Sequence, residues 1–281
     1  MMKTVYIDDL DNAAALPYSH LTEAQLKRAG DFPCGLFIAE SLNVISAAVE
    51  AGYSPVSFLA EEKRISGIEE AFGERFADAP ILTAGPDTLK RLTGFGLSRG
   101  VLCAMERKPL PKAEELLRGA RRVAVLEGIV DPANVGSVMR SAAALGIDAV
   151  LLAANCCDPL HRRAARVSMG GVFRVPFAVL PCLERDKNAV DLSLLRSFGF
   201  LSAAMALEKD SLRLDDERVM GAEKLALIFG TEGAGLSPAT VSSCDLTVMI
   251  PMENGMDSLN IAASAAIAFW QTCGQNGPRS A

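Results

Sequence analysis

Short apolar runs separated by helix-forming stretches recur along the second half of the sequence, and this alternation limits the fold more than any other feature. Residues 122–126 have the length of a buried strand, and a helical stretch at residues 134–145 follows, ended by Gly146. Further strand-like runs lie at residues 148–152, 225–229 and 246–251. Continuous apolar strands that alternate with helices are typical of a sheet covered on both faces. We therefore predict an α/β domain with a parallel sheet.

The first half of the chain shows the same alternation with shorter elements. We predict strands at residues 35–39, 55–59, 80–83 and 100–104, and helices at residues 42–51, 72–77 and 87–92. A stretch with two prolines and two lysines, residues 108–112, has the composition of a linker. The sequence thus predicts a small α/β domain over residues 1–111 and a larger α/β domain over residues 112–281.

Composition and apolar patterning exclude several classes of protein. The 281 residues carry a formal net charge of −6, which argues against a protein that coats nucleic acid by bulk attraction. We expect no targeting segment, because acids stand near the start where an apolar core should lie. The longest apolar run, residues 259–270, is too short to span a bilayer, and we expect the helix predicted there, residues 259–271, to be buried on nearly every face. The seven cysteines are scattered without a CxxC pair, so we expect thiols in a reducing cytoplasm and no metal site.

Three strand–loop–helix turns in the second half carry unusual residues, and ligands of open α/β sheets bind beyond the carboxyl ends of strands. The first turn covers residues 127–140. Asn134 is placed to cap the helix that follows, which would explain it without a functional role. Arg140 is the only charge on that helix and lies opposite its apolar stripe. Its guanidinium could hold an RNA phosphate through two hydrogen bonds, although a solvated surface arginine would look the same.

The second turn, residues 227–238, places a glycine-rich loop between a strand and a helix. Its glycine order, G-x-x-G-x-G, and its late position argue against a dinucleotide site, and a plain tight turn is the alternative. Glu232 argues against phosphate, because a carboxylate would repel it. The loop suits hydroxyl groups, an adenine edge or a positive sulfonium better. The third turn, residues 249–260, ends in Ser258-Leu259-Asn260, where Ser258 could simply cap the last helix.

Taken together and in this order, the three turns resemble the SpoU (TrmH) family of the SPOUT superfamily. The matching motifs are Asp131-Pro132-x-Asn134-x-Gly136-x-x-x-Arg140, Gly230-x-Glu232-Gly233-x-Gly235-Leu236, and Ile250-Pro251-Met252 leading to Ser258-Leu259-Asn260. The resemblance implies methyl transfer from S-adenosylmethionine to a ribose 2′-hydroxyl of structured RNA. It also implies a SPOUT (α/β-knot) domain with a trefoil knot over residues 112–281, a ribosomal-protein-like RNA-binding domain over residues 1–111, and a homodimer.

The resemblance also assigns individual residues. Those that match the acceptor site are Asn134, Arg140, Glu232, Ser258 and Asn260. Those expected to hold S-adenosylmethionine are Gly230, Gly235, Ile250, Met252 and Leu259. Because the donor methyl group is already activated, we expect no metal or redox cofactor; the protein must align the reactants and help remove a proton. Proposals for the family assign the role of proton acceptor to the arginine that matches Arg140. An arginine side chain is effectively always protonated and so cannot readily accept a proton. We expect Arg140 to bind the phosphate beside the target ribose and to stabilise the developing oxyanion.

Local basic segments offset the acidic net charge. Between Asp158 and Glu184 there is no acid, and we expect the arginines Arg162, Arg163 and Arg166 to contact RNA there, although a solvated basic loop would have the same composition. A second basic cluster, in the first half of the chain, comprises Arg91, Arg99, Arg107 and Lys108. Binding to RNA should therefore weaken as salt rises.

Two other functions stay open at this point. A non-catalytic RNA-binding or ribosome-assembly factor could keep the fold, although the intact acceptor-site residues argue against it. A methyltransferase that acts on a base would carry different motifs. Ribosomal RNA is favoured over transfer RNA as the substrate, because the chain is predicted to have a separate amino-terminal domain that recognises RNA. This preference rests on analogy alone. We expect action in the cytoplasm, without a membrane partner.

Overall fold

The computed structural model describes residues 2–8, 12–19, 21–29, 32–94 and 100–273. The chain divides into two compact units, Met1–Pro109 with Leu160–Phe173 and Leu110–Pro159 with Arg174–Ala281. The division after Pro109 falls inside the predicted linker. Residues 160–173 differ from the expectation, because they pack with the amino-terminal residues and not with their neighbours in sequence.

Strands and helices alternate along the described residues. The strands are β1 (Thr4–Tyr6), β2 (Leu36–Glu40), β3 (Pro55–Ala60), β4 (Ile81–Thr83), β5 (Val101–Glu106), β6 (Arg122–Leu126), β7 (Ala149–Ala153), β8 (Phe177–Leu180), β9 (Cys182–Leu183), β10 (Asp186–Val190), β11 (Leu201–Met205), β12 (Leu212–Arg213), β13 (Leu225–Phe229) and β14 (Leu246–Met249). The helices are α1 (Leu16–Ser19), α2 (Glu23–Leu26), α3 (Leu42–Glu50), α4 (Ile65–Phe72), α5 (Pro86–Thr93), α6 (Ala113–Leu117), α7 (Pro132–Leu145), α8 (Arg162–Val167), α9 (Ser193–Ser197), α10 (Glu217–Met220), α11 (Pro238–Ser243) and α12 (Ile261–Cys273). Short 3₁₀ turns lie at Ala13–Ala15, Glu62–Arg64 and Gly171–Phe173.

The first unit is built on a five-stranded sheet in the order β1-β4-β3-β5-β2. Strand β5 runs antiparallel to both of its neighbours, and the other pairs are parallel. The buried Tyr18 hydroxyl ties α1 to the middle of this sheet: it donates to Ser57 O at 2.7 Å and accepts from Ala104 N at 3.0 Å. Burial raises the pKa of Tyr18 far above its ordinary value, so the hydroxyl keeps its proton and its role as donor.

The helix predicted at residues 72–77 is wrong. Helix α4 ends at Phe72, and Ile68 and Phe72 are the side chains that it buries in the first unit. These two residues are four apart and so share one face of a helix. Phe72 is therefore the last residue of a helix and not the first.

Residues 160–173 pack on the first unit through apolar contacts. The ring centroid of Phe173 lies 5.9 Å from that of Phe37 and 5.4 Å from that of Tyr53. Helix α8 lies against β2, and its Ala164 is fully buried. Burial of this kind explains why the segment belongs to the first unit.

The second unit contains a seven-stranded sheet in the order β12-β14-β11-β13-β6-β7-β8. Every neighbouring pair is parallel, which confirms the predicted parallel α/β fold. All residues of β6, β7 and β13 are buried, as expected for strands covered on both faces. Helices α7 and α12 pack against each other. A separate antiparallel pair joins β9 and β10.

The register of this sheet brings the carboxyl ends of its central strands to one edge. Leu126, the last residue of β6, pairs with Phe229, the last residue of β13. In β11, Ala204 pairs with Ile228 on one side and Thr247 on the other. The three turns singled out in the sequence therefore start from the same edge of the sheet, where α/β proteins bind ligands.

Helix α7 starts two residues earlier than predicted, and its cap is a different residue. The side chain of Asp131, not Asn134, accepts a hydrogen bond from Ala133 N at 2.8 Å, and Pro132 occupies the first helical position. Proline there is pre-set for the first turn and lacks the N–H that would otherwise need a partner. Gly146 ends the helix with φ of +84°, as its position in the sequence predicts.

Helix α12 starts later and is less buried than expected. Asn260 Oδ1 accepts from Ala262 N at 2.9 Å, so Asn260 and not Ser258 caps the helix. The expectation of burial on nearly every face is wrong, because Ile267 is 41% exposed and Trp270 is 64% exposed. Large apolar side chains grouped on one open face are typical of an interaction surface.

Candidate active site

A pocket of about 640 Å³ opens at the carboxyl edge of the parallel sheet. It is formed by the ends of β11, β13 and β14, by the loops that follow them and by the start of α12. The predicted site residues that line it are Gly230, Glu232, Gly235, Ile250, Met252, Ser258, Leu259 and Asn260. The structure thus brings the second and third turns together in one cavity within the second unit.

The glycine loop after β13 closes on itself. Thr231 N donates to Gly235 O, and Gly235 N donates to Thr231 O, both at 3.0 Å. A Cβ on Gly230 would lie 2.3 Å from backbone atoms of Gly235 and Leu236, far inside van der Waals contact. The φ of Gly233, +91°, is one that residues with side chains rarely adopt. The shape of the loop therefore requires these glycines, and it brings backbone groups to the pocket.

A hydrogen-bonded group of three side chains joins the first turn to the pocket. Because Asn260 Oδ1 caps α12, the amide is oriented with Nδ2 toward two acceptors. Nδ2 donates to Asn134 Oδ1 at 3.2 Å and to the carboxylate of Glu232. Asn134 is buried, and Glu232 is exposed. One residue from each of the three turns thus contributes to a single polar group at the edge of the pocket.

Arg140 is not bonded to this polar group. On α7 it is exposed, whereas Val138 and Met139 are fully buried, as helical spacing predicts. Among the described residues, none forms a hydrogen bond or salt bridge with its guanidinium. It is also absent from the described residues that line the pocket. Within a single chain, Arg140 therefore neither lines the pocket nor bonds to Glu232 or Asn260.

The first turn is held in place by residues that follow β7. Gly128 N donates to Asn155 Oδ1 at 3.0 Å, and Cys157 N donates to Ile129 O at 2.8 Å. A Cβ on Gly128 would lie 2.6 Å from the methyl group of Thr231. The first turn and the glycine loop are therefore in close contact. Asn155 was not predicted as a site residue, although its position as a polar residue just past a predicted strand was a signal for it.

One wall of the pocket comes from a strand that the sequence analysis missed. Met205, at the end of β11, and the residues 206–208 after it line the cavity. The apolar run at residues 200–207 follows Gly199 and has the length of a strand, so it was the signal available in the sequence.

The electrostatic character of the pocket is acidic. Its lining includes the carboxylate-bearing residues Glu208, Glu232 and Asp257, and the described lining residues include no lysine, arginine or histidine. An acidic cavity favours a ligand that carries positive charge. It disfavours a phosphate, as Glu232 already suggested from the sequence.

Two of the predicted RNA-binding arginines are paired with a buried glutamate in the first unit. Arg166 Nη1 donates to the Glu40 carboxylate at 3.2 Å, and Arg162 Nε lies 3.6 Å from it. The Glu40 side chain is only 3% exposed, so its charge depends on these cations. Arg163 is exposed, and Arg99 lies outside the described residues. Arg162 and Arg166 therefore have a structural role in the first unit.

The second basic cluster is partly engaged in the same way. Arg107 Nε donates to Leu36 O at 2.8 Å, and Lys108 Nζ donates to Ala51 O at 2.5 Å. Arg91 is exposed on α5. Within these two basic clusters, Arg91 and Arg163 are the residues that the structure describes as exposed and without such bonds among the described residues.

The structure does not activate the thiols of Cys156 and Cys244 as nucleophiles. Burial raises the pKa of Cys156 to about 11 and that of Cys244 to about 12, so both thiols stay protonated at neutral pH and are poor nucleophiles. The described residues contain no cluster of three or more side chains of the types that ligate metals. None of their helices has both the length and the hydrophobicity to cross a bilayer.

Comparisons with known proteins match the region that builds this pocket. The model of the SpoU rRNA methylase family matches residues 121–270. A Mycobacterium bovis protein named as an uncharacterised tRNA/rRNA methyltransferase is 37% identical over 249 residues, which cover 88% of this chain and 84% of that protein. The 23S rRNA (guanosine-2′-O-)-methyltransferase RlmB of Acinetobacter baylyi is 29% identical over 219 residues, which cover 76% of this chain and 84% of RlmB.

Solved structures share the fold along nearly the whole chain. An AdoMet-bound rRNA methyltransferase from Sinorhizobium meliloti matches with a TM-score of 0.78 at 20% identity and covers 99% of both chains. The SpoU methyltransferase AviRb from Streptomyces viridochromogenes, in complex with AdoMet, matches with a TM-score of 0.77 at 24% identity and covers 94% of this chain and 99% of its own. These likenesses confirm the predicted fold class. Since the family model spans all three turns and the pocket between them, the chain belongs to the SpoU rRNA methylase family.

Proposed function

We propose that this chain transfers a methyl group from S-adenosylmethionine to a ribose 2′-hydroxyl of ribosomal RNA. The observation that carries the proposal is the polar group of Asn134, Glu232 and Asn260 at the edge of a pocket bounded by a glycine loop. Membership of an rRNA methylase family supports the reaction type. The name of the RlmB relative specifies a 2′-O acceptor in 23S rRNA, which supports the acceptor.

The pocket suits S-adenosylmethionine in size, polarity and charge. Its volume of about 640 Å³ falls in the range of roughly 300–1,000 Å³ that is usual for small-molecule sites. Ile250 and Leu259 offer apolar surface to an adenine ring, and the glycine loop offers backbone hydrogen bonds. The carboxylate-bearing lining residues favour the positive sulfonium. When bound, S-adenosylmethionine supplies an already activated methyl group.

We assign Glu232 the role of proton acceptor. A carboxylate is ordinarily ionised at neutral pH and can take up a proton, whereas a guanidinium cannot. Asn260 holds one oxygen of Glu232, and Asn134 holds Asn260 in turn. The second oxygen has no partner among the described residues and is available to the 2′-hydroxyl. Ser258, which lines the same pocket, offers a hydroxyl to the ribose.

We further propose that the chain acts as a homodimer joined through the exposed face of α12. Ile267 and Trp270 on this face, and Leu259 just before the helix, are apolar and open to solvent in a single chain. A second copy of the same face would bury them. Arg140 has no place in the pocket of its own chain, so we assign it to the pocket of the second copy, where it would bind the phosphate beside the target ribose.

The first unit is proposed to bind the RNA substrate, with exposed Arg91 and Arg163 as its phosphate contacts. Ribosomal RNA is assigned as the substrate because the family model and the RlmB relative both name it. We also propose that the chain acts in the cytoplasm, since an enzyme of this kind needs access to ribosomal RNA.

The proposal is tested by mapping 2′-O-methyl groups in the RNA of a strain that lacks the gene. We expect one position in ribosomal RNA to lose its methyl group and to regain it with the wild-type gene but not with Glu232→Gln. Purified protein and methyl-labelled S-adenosylmethionine should modify the same position in RNA from the deletion strain. Binding of RNA without incorporation would indicate a non-catalytic factor. Labelling of transfer RNA alone would overturn the assignment to ribosomal RNA.

A further inference from the structure

Glu127, the first residue after β6, contacts both ends of the glycine loop. Its backbone N–H donates to Phe229 O at 2.9 Å, directly before Gly230. Its carboxylate oxygen Oε1 accepts from Ser237 N at 2.7 Å, directly after Leu236. The loop that lines the pocket is thus joined at both ends by one residue from a neighbouring strand.

The Glu127 carboxylate is fully engaged and shielded from water. Its second oxygen, Oε2, accepts from Val190 N at 2.9 Å and from the hydroxyl of Thr240. The residue is only 3% exposed, so its charge is stabilised by these hydrogen bonds in place of water. An amide could not accept on both sides, because its NH₂ group would face either Ser237 N–H or the donors from Val190 and Thr240.

We propose that Glu127 is a positioning residue for the cofactor. By fixing the separation of Phe229 from Ser237, it holds the backbone groups of residues 230–236 in the arrangement that binds S-adenosylmethionine. Glu127 is not among the described residues that line the pocket, so its effect is transmitted by the loop. This inference rests on the proposed assignment of the pocket to S-adenosylmethionine.

The test is the variant Glu127→Gln, compared with the wild-type chain in three measurements. Calorimetry should show a Kd for S-adenosylmethionine raised by about tenfold or more, the effect of losing one hydrogen bond to a charged group. Hydrogen–deuterium exchange without ligand should become faster in residues 230–237, where the Ser237 amide loses its acceptor. If this variant does not fold, Glu127→Asp takes its place, because it keeps the charge but is too short to reach both sides.

The matched control is Asp245→Asn. The Asp245 carboxylate accepts from Ser202 N at 2.8 Å and from Ser202 Oγ at 2.6 Å, at the amino-terminal ends of β14 and β11. Its loss should lower the melting temperature without changing the Kd for S-adenosylmethionine, because the pocket lies at the other edge of the sheet. A Kd for Glu127→Gln close to that of the wild type, or an equal rise in Asp245→Asn, overturns the positioning role.

The variant Gly230→Ala separates this inference from the assignment of the pocket. A Cβ at Gly230 would collide with the backbone of Gly235 and Leu236, so the loop could not keep its shape. We expect binding of S-adenosylmethionine to be lost. Unchanged binding in Gly230→Ala would contradict the pocket assignment itself. Lost binding there, with normal binding in Glu127→Gln, would contradict only the role of Glu127.

Discussion

The carboxylate of Glu232 is the single side chain on which the proposed reaction depends most directly. Glutamine at this position keeps the shape of the side chain and can still accept from Asn260, but it cannot take up a proton. We expect kcat of Glu232→Gln to fall by roughly 10²–10⁴-fold, the usual contribution of a general base. The Kd for S-adenosylmethionine, measured by calorimetry, should rise far less than kcat falls, because Glu208 and Asp257 still supply negative charge to the pocket. A kcat close to that of the wild type would mean that another group accepts the proton.

One conservative substitution at Arg140 tests whether this residue binds phosphate through two hydrogen bonds or only through its charge. Lysine keeps the positive charge but loses the planar fork that binds a phosphate through two hydrogen bonds. Loss of one charge-assisted hydrogen bond, about 1.5–3 kcal/mol, should lower kcat/KM for RNA of Arg140→Lys by roughly 10–100-fold. Arg118→Lys, at an exposed arginine to which no RNA contact is assigned, is the matched control in the same RNA assay. If Arg140→Lys methylates RNA at the wild-type rate, Arg140 does not bind phosphate in this way.

At the residue scale, the sequence identified the polar group and missed what positions it. Glu232, Asn260 and Asn134 were found because each lies in a recognisable turn. Glu127 lies in the first turn as well, but its side-chain partners are 63 to 113 positions away in sequence, beyond any local pattern. Asn134 was expected to cap α7, yet Asp131 does so, and Asn134 binds Asn260 instead.

At the element scale, the bounds of strands were easier to predict than which faces of a helix are buried. Strands β6 and β13 match their predicted bounds because each is a continuous apolar run with clear ends. For α12 the sequence predicted the apolar character but not the exposure of Ile267 and Trp270, since a buried apolar face and an exposed one have the same composition. The trefoil knot stays a prediction from the family, because a knot is a property of the chain path and not of any element.

The exposed face of α12 gives a prediction about assembly. We expect Trp270→Glu to weaken dimerisation by at least about 2 kcal/mol, the usual effect of removing a central interface tryptophan, because a buried carboxylate would lack a partner. Analytical ultracentrifugation of the wild type and the variant measures this change. Val179→Glu is the control, since Val179 is 51% exposed on the edge strand β8, away from α12. A wild-type monomer, or an unchanged dimer in Trp270→Glu, would contradict the proposed interface.

At the scale of the whole molecule, the two units were predicted from composition, but the membership of residues 160–173 was not. The linker at residues 108–112 is visible as a change in composition, whereas the return of a later segment to the first unit depends on tertiary contacts. Those contacts include the Phe173 ring against Phe37 and the buried Glu40 paired with Arg166. A prediction from sequence alone places each segment in the same unit as its neighbours along the chain.

Because residues 160–173 belong to the first unit, we can predict the effect of a truncation. A chain that starts at Leu110 would leave Phe173, Ala164 and Arg166 without the first-unit residues that cover them. We expect such a chain to aggregate and to melt at a lower temperature than the full chain, as measured by size-exclusion chromatography and thermal unfolding. Replacing residues 160–173 by a short glycine–serine link in the same truncated chain should restore its solubility. Equal behaviour of the two truncated chains would show that the segment does not depend on the first unit.

Helix α8 also bears on how proteins of this kind can change partners in evolution. An RNA-binding unit attached by a single linker can be replaced through one recombination event at that linker. Here the incoming unit would have to supply its own counterpart to Glu40 and an apolar surface for Phe173, or a second recombination would have to replace α8 as well. The two units are therefore expected to be inherited together, and the first unit to diverge by substitution more readily than by exchange.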